Sequence, residues 1–409
     1  MKILHFADAH IDMANYGRHD PQTGLPLRVL DFLKSLDTIV DAAISEQVDM
    51  VVFAGDAYKD RSPAPTFQRE WGKRIIRLSR AKIPTLLLVG NHDLSPAIGR
   101  AHAIQEFDTL QVPFVRVLQK PEFLGPQELW DLPVQVIAMP WVSRSGLMAS
   151  VDASAVDVRE LFARIEDRIS SLVEAWMSEA DPSLPLILTA HASVEGAMFG
   201  AERMVMLGSD LVLPTGLVKD RRLDYVAMGH IHKPQDLNEG NHPPVIYPGS
   251  IERIDFGEAH DKKYFVIAHL EKGHNTLVDW VEIQGTRPFI ERRTELLSTE
   301  NVTEHLIRTL PTPDRMTEAI VKLTVEYPRE MDVLIDESAL RKYTECCFEF
   351  HLIKRPKSEA RVRIPEGQTV SSLSPLELLT QYFEASKIQE SDELQQLARE
   401  IIAGDSFES

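Results

Sequence analysis

Thr85-Leu86-Leu87-Leu88-Val89-Gly90-Asn91-His92-Asp93 is an apolar run that meets a glycine and opens at once into amide, imidazole and carboxylate. The same grammar recurs along the chain. Residues 3–7 lead into Asp8-Ala9-His10, residues 50–54 into Gly55-Asp56, residues 186–190 into His191, and residues 225–228 into Gly229-His230-Ile231-His232. Helical patterns separate these strands, with Leu30, Leu33, Leu36, Val40 and Ile44 in one, Phe67, Trp71, Ile75 and Leu78 in the next, and Leu161, Ile165, Ile169, Leu172 and Trp176 in a third. Strands interleaved with helices predict an α/β layered domain. Ligands of such domains gather at the carboxyl ends of the strands, so the polar clusters are expected to converge despite their separation in sequence. A glycine before Asp56, Asn91 and His230 is expected to give the sharp exit that aims each side chain inward.

Aspartates, imidazoles and an asparagine, with no thiolate among them, form a mixed oxygen and nitrogen set. Such a set suits Mn²⁺, Fe or Zn²⁺ better than Ca²⁺, and the absence of cysteine disfavours a structural zinc site. One carboxylate can bridge two cations about 3.5–4 Å apart, an arrangement suited to hydrolysing phosphate esters. The remaining histidines, His5, His102, His269 and His351 among them, have no such context and read as surface or satisfied core residues.

The chain has 409 residues, which suggests two or three domains at about 100–200 residues each. Its hydrophobic fraction of 44% argues against wholesale disorder. No apolar run approaches the ~20 residues of a membrane span, and no secretory signal is apparent, so a cytoplasmic protein without membrane association is expected. The two cysteines, Cys346 and Cys347, are adjacent, which fits a reducing compartment. A formal charge of −18 opposes purely electrostatic attachment to nucleic acid, so any such function must rest on local patches or bound cations.

After Gly240 the texture changes. Residues 245–247, 264–270 and 277–283 read as strands of a second sheet closing a first domain over 1–285. A smaller α+β module is expected over 286–365, ordered helix (302–310), strand (319–327), helix (331–343), strand (347–353). A helical tail over 366–409 begins with Ser374-Pro375-Leu376-Glu377, a capping sequence. Basic residues cluster at Arg69, Lys73, Arg74, Arg77, Arg80 and Lys82, at Lys219, Arg221 and Arg222, and at Lys354, Arg355, Lys357, Arg361 and Arg363. The last group, placed in the loop after the module's final strand, is the best candidate for gripping duplex backbone.

Asp-x-His, Gly-Asp, Gly-Asn-His-Asp, a strand-ending His and Gly-His-x-His, in that order, resemble the signature of the calcineurin-like metallophosphoesterases. Residues 229–234 and the stretch Tyr247-Pro248-Gly249-Ser250-Ile251-Glu252-Arg253-Ile254-Asp255-Phe256-Gly257-Glu258 narrow the resemblance to the SbcD-type DNA repair nucleases. It implies a two-sheet αββα metallophosphoesterase sandwich over 1–285, a small α+β capping domain that binds DNA, and a tail that binds an ATPase partner. It also implies one metal on Asp8, His10, Asp56 and His232, and a second on Asp56, Asn91, His191 and His230. Mn²⁺ is the foremost ion, with Mg²⁺, Fe or Zn²⁺ as alternatives. His92 becomes the acid at the leaving 3′ oxygen, with Asp93 beside it to orient the imidazole. DNA, an SbcC-type coiled-coil ATPase and a second copy of the chain are the implied partners.

Two departures stand out. Ile11-Asp12 occupies the place of the family's frequent Leu-Gly, and Lys59 stands where some relatives carry a second catalytic histidine. Lys59 and Arg61 are therefore candidate phosphate contacts. The implied activity is metal-dependent exonuclease and endonuclease cleavage of DNA; the alternatives are a nucleotide phosphodiesterase or phosphatase, or a scaffold that has lost catalysis. The last should have lost ligands, yet all seven positions carry competent residues.

Overall fold

A computed structural model describes residues 1–16, 18–94, 101–142, 158–200, 212–357, 374–386 and 391–404. The chain divides into two compact units, Met1–Phe289 and Ile290–Ser409.

In the first unit Lys2–Phe6 (β1), Met50–Phe53 (β2), Thr85–Leu88 (β3) and Val115–Leu118 (β4) run parallel as neighbours. The chain then builds a second sheet from Glu122–Leu124 (β5), Gln135–Met139 (β6), Leu186–His191 (β7), Tyr225–Gly229 (β10), Gln235–Asp236 (β11) and Val245–Tyr247 (β12). Two short strands, Ser193–Val194 (β8) and Val212–Leu213 (β9), pair beside it. Tyr264–His269 (β13) and Leu277–Glu282 (β14) return to the first sheet, giving the orders β14-β13-β1-β2-β3-β4 and β11-β12-β10-β7-β6-β5. The expectation that the strands after Gly240 form one second sheet is thus corrected. β12 joins the second sheet, whereas β13 pairs antiparallel with the free edge of β1.

Alternation along each strand sets the layers. Ile3, Val52, Leu86 and Leu88 face Val136, Ala138, Ile187 and Ala227 in the layer between the sheets. Leu4, Phe6, Val51 and Phe53 point the other way, against helices Leu27–Ser45 and Pro65–Arg80. On the second sheet Leu188, Ala190 and Val226 meet Ile169, Val173 and Met177 of helix Val158–Glu179. The result is an α/β sandwich of two sheets flanked by helices. Helix Pro65–Arg80 buries Trp71, Ile75 and Leu78 as expected, whereas the first helix is turned slightly from its expected stripe. Leu27–Ser45 buries Val29, Phe32, Leu36 and Ile39, and Ile44 is exposed.

The second unit has a three-stranded sheet, Phe289–Glu295 (β15), Ile320–Pro328 (β16) and Glu349–Lys357 (β17), with β16 and β17 parallel. Its core gathers Leu306, Met316, Val321, Leu323, Val325 and Leu340. The expected helix over 331–343 is broken: a 3₁₀ turn, Arg329–Leu334, precedes helix Glu337–Tyr343, whose cap Asp336 accepts the amide of Ala339 at 3.0 Å. Helices Pro375–Ser386 and Ser391–Gly404 follow; Ser374 caps the first by exchanging hydrogen bonds with Glu377. Among the described residues no helix is long and apolar enough to cross a membrane.

Candidate metal centre

The parallel strands of both sheets end at one place. Asp8 and His10 follow β1, Asp56 follows β2, Asn91, His92 and Asp93 follow β3, His191 closes β7, and His230 and His232 follow β10. All are buried except His92, which is half-buried. Ligand atoms of Asp8, His10 and His232 lie within 4.8 Å of one another, as do those of Asp8, Asp56 and His191. Asn91 Oδ1 is 2.9 Å from His191 Nε2 and 3.1 Å from His230 Nδ1. The amide of His230 donates to both oxygens of Asp8 at 3.1 Å, tying the end of one sheet to the end of the other.

Tautomers follow from these contacts. A carbonyl only accepts, so Nδ1 of His10 must donate to Tyr58 (3.1 Å), and Nδ1 of His191 to Ala54 (2.6 Å). Nδ1 of His232 donates to the Glu258 carboxylate at 2.9 Å. The Nε2 atoms of His10 and His232 then face each other at 3.2 Å, lone pair to lone pair. Nε2 of His191 lies against Asn91 Oδ1 and, at 3.4 Å, Asp56 Oδ2, two acceptors that call for a proton or a cation at that nitrogen. Acceptors so arranged repel unless a positive charge lies among them. This donor set, with its outer imidazole nitrogens fixed by carbonyl or carboxylate, fits divalent metal.

The electrostatics call for positive charge at the same place. Burial penalises the charged form of His191, but the Asp56 and Asp8 carboxylates and the Ala54 carbonyl together outweigh it and lift the imidazole to about 9. Burial holds His10 well below the ordinary histidine value, against the pull of Asp56. Asp8 is raised, chiefly by burial, and His92 is lowered, chiefly by burial. Asp56 is held well below the carboxylate range because the surrounding imidazoles overcome its burial.

Backbone strain concentrates here. Asp8, His10, Asp56 and His230 adopt φ of 50°, 39°, 64° and 100°, at a cost of about 1–3 kcal/mol each. Of the three glycines expected to turn the chain, Gly55 alone has positive φ. Gly90 and Gly229 serve by lacking a side chain: a Cβ would come within 2.1 Å of Asp56 Oδ1 at Gly90, and within 2.0 Å of the Ala54 carbonyl at Gly229.

The pattern of the calcineurin-like phosphoesterases matches residues 1–234. The chain belongs to that family. Among curated relatives, the SbcD component of nuclease SbcCD from Escherichia coli K12 is 24% identical over 401 residues, covering 97% of this chain and 95% of its own. The DNA double-strand break repair protein Mre11 of Archaeoglobus fulgidus is 25% identical over 362 residues, 85% of this chain and 74% of its own. The corresponding SbcCD component of Bacillus subtilis is 26% identical over 294 residues, 71% and 72%. As a calcineurin-like phosphoesterase the chain is a metal-dependent enzyme of phosphate-ester hydrolysis, and its nuclease relatives class it with the phosphodiesterases.

Two expectations need correction. Asp93 does not orient His92. Its carboxylate accepts the amides of Asp56 (2.9 Å), Ala57 (3.0 Å) and Gly90 (2.9 Å), and the imidazole Nδ1 of His92 donates instead to the Lys59 carbonyl at 2.8 Å. Burial, then the charge of Asp56, push the Asp93 carboxyl up to about 7. Second, Lys354, Arg355 and Lys357 lie within β17 rather than in a loop after it. They face acids: Lys354 meets Asp332 and Glu337, Arg355 approaches Glu326, and Lys357 meets Glu295. Arg361 and Arg363 lie outside the described residues. The basic helix Pro65–Arg80 spends Arg69, Lys73, Arg74 and Arg77 on Glu70, Asp37 and Asp41. Lys59 and Arg61 line an open groove of about 840 Å³ with His92, Asn15 and Phe67.

Sequence reasoning missed the supports. Glu258 holds His232 while its other oxygen takes Lys263 (2.5 Å) and Ser250 (3.0 Å), all buried. The Trp141 ring lies 5.0 Å from that of His230 and 6.1 Å from that of His191. Glu258 and Ser250 sit in the quoted 247–258 motif, the one signal that points to them. Nothing in the sequence marks Trp141 or Lys263.

Proposed function

We propose that the chain is a metal-dependent DNA exonuclease and endonuclease of SbcD type, acting in DNA repair in the cytoplasm. One observation carries this reading beyond the family: the likeness to the SbcD component of the Escherichia coli nuclease continues over 401 residues, far past residue 234 where the family pattern stops. A phosphatase or small-nucleotide phosphodiesterase has no need of that second unit.

In this reading Asp8, His10, Asp56 and His232 hold one divalent ion, and Asp56, Asn91, His191 and His230 the other, with Mn²⁺ the foremost candidate. Such ions supply charge opposite the phosphoryl oxygens and lower the pKa of water. His92, its Nδ1 committed to Lys59, uses Nε2 to hand a proton to the leaving 3′ oxygen. Lys59 and Arg61 receive the strand along their groove, and Arg355, Lys357, Arg361 and Arg363 contribute to DNA binding from the second unit. Residues 1–285 are the nuclease domain, residues 286–365 a cap, and the tail offers exposed Leu394, Leu397 and Ile401 to an SbcC-type coiled-coil ATPase. The working form is a homodimer.

The test is cleavage of end-labelled duplex and single-stranded DNA by metal-stripped protein supplied with Mn²⁺, Mg²⁺ or Zn²⁺. Mn²⁺-dependent cutting that His92→Ala abolishes is the expected result. Hydrolysis of a small phosphodiester with no cutting of DNA, even with the ATPase partner present, would instead favour the nucleotide phosphodiesterase.

A further inference from the structure

The loop from Asp56 to Arg61 serves the centre with its backbone as much as with its side chains. The Tyr58 carbonyl holds His10, and the next carbonyl, that of Lys59, holds His92. Carboxylates clamp the loop at both ends. Asp93 takes the amides of Asp56 and Ala57, and Asp12 takes the amide of Lys59 on one oxygen (2.5 Å) and that of Asp60 on the other (2.9 Å). Asp12 is buried, and it lines the same groove as His92. A buried carboxylate that accepts two amides is a rigid tie, because breaking either bond leaves a desolvated group unsatisfied.

We propose that Asp12 is a positioning residue for His92, acting through the Lys59 carbonyl. By fixing the peptide between Lys59 and Asp60, Asp12 fixes the direction of the carbonyl that belongs to that peptide. That carbonyl in turn sets the tautomer and orientation of the imidazole. The inference rests on the reading of His92 as the leaving-group acid. In that step the oxygen of a water molecule, which gives up a proton to solvent, forms a bond to phosphorus as the P–O bond to the leaving oxygen breaks. The electron pair of that bond goes to the leaving oxygen, which takes the proton from Nε2 as the Nε2–H bond breaks. The Nδ1 proton stays on its bond to Lys59. Misorienting the imidazole therefore matters where the leaving oxygen is a basic sugar alkoxide and matters little where it is a stable aryl oxide.

The experiment compares Asp12→Ala, His92→Ala and the double variant on end-labelled DNA and on bis(4-nitrophenyl) phosphate, with Mn²⁺ affinity measured by calorimetry. Asp12→Ala is expected to slow DNA cleavage about 10–100-fold and aryl ester hydrolysis at most about threefold, with Mn²⁺ affinity kept. The double variant should be no slower than His92→Ala. Asp12→Asn, which keeps one side-chain oxygen for the two amides, should lose less than Asp12→Ala and carries the test if the alanine variant fails to fold. Equal losses on both esters, additive losses in the double variant, or weakened Mn²⁺ binding would overturn the inference while leaving His92 in its role. If His92→Ala itself showed no contrast between the esters, the leaving-group reading would fall, and the relay with it.

Discussion

His5 and His10 belong to one strand and its exit, and both are fully buried, yet the protein treats them in opposite ways. His5 lies between the sheets with both ring nitrogens satisfied. Nε2 donates to the Met228 carbonyl at 3.2 Å, and Nδ1 accepts from the Tyr225 hydroxyl at 2.9 Å. Burial pushes its pKa down to about 3, so it is a neutral core residue. His10 satisfies one nitrogen on Tyr58 and turns the other toward His232 and, at 3.8 Å, Asp56. It also sits at positive φ. The lesson is that burial does not separate a structural histidine from a ligand. What separates them is whether the second nitrogen meets a donor or a converging set of acceptors.

The largest effect should come from Asp56, the carboxylate that the proposed function assigns to both ions. Asp56→Asn is expected to cut Mn²⁺-dependent phosphodiester turnover by about three orders of magnitude, roughly 4 kcal/mol, with the far-ultraviolet dichroism unchanged. The core side of the comparison is sharpened by acid. Folded His5 stays neutral down to about pH 3, whereas unfolded His5 takes a proton below its ordinary value near 6.5. Its stabilising contribution is thus present above 6.5 and is lost as pH falls toward 3. Between pH 7 and pH 4 the wild type should lose about 3 kcal/mol more than His5→Gln in urea unfolding, while at pH 7 both show the thermal shift given by Mn²⁺. A smaller change is expected from Glu258→Gln, which weakens the hold on His232 and should lower Mn²⁺ affinity about 10–100-fold in equilibrium titration. The smallest belongs to Arg355→Gln with Lys357→Gln. These side chains already face Glu326 and Glu295, so DNA affinity should fall only about two- to threefold and small-diester hydrolysis should hold.

Why some of this is legible in sequence follows from the same physics. Short apolar strands ending in polar clusters declare themselves, because five strands each bring a candidate ligand to one point. Their partners do not. Val115–Leu118, Glu122–Leu124 and Gln135–Met139 carry no polar cluster to give them away, although Gln135–Met139 lies inside the second sheet. The order of strands after Gly240 depends on which edge is free, which local pattern does not encode. The same holds for charge: six basic residues clustered in sequence about one helix say nothing of Asp37 and Asp41 on its neighbour. In sequence Asp12 is only a departure from a familiar pattern, and its use becomes visible once the loop beyond Asp56 lies against it.

Strand ends that converge on Asp56 from both sheets should bind two cations, and equilibrium dialysis of the metal-stripped chain against Mn²⁺ counts them. Two ions per chain in the wild type, with stoichiometric binding lost in Asp56→Asn, is the expected outcome. One ion or none in the wild type, or two ions retained by Asp56→Asn, would refute the shared-carboxylate centre.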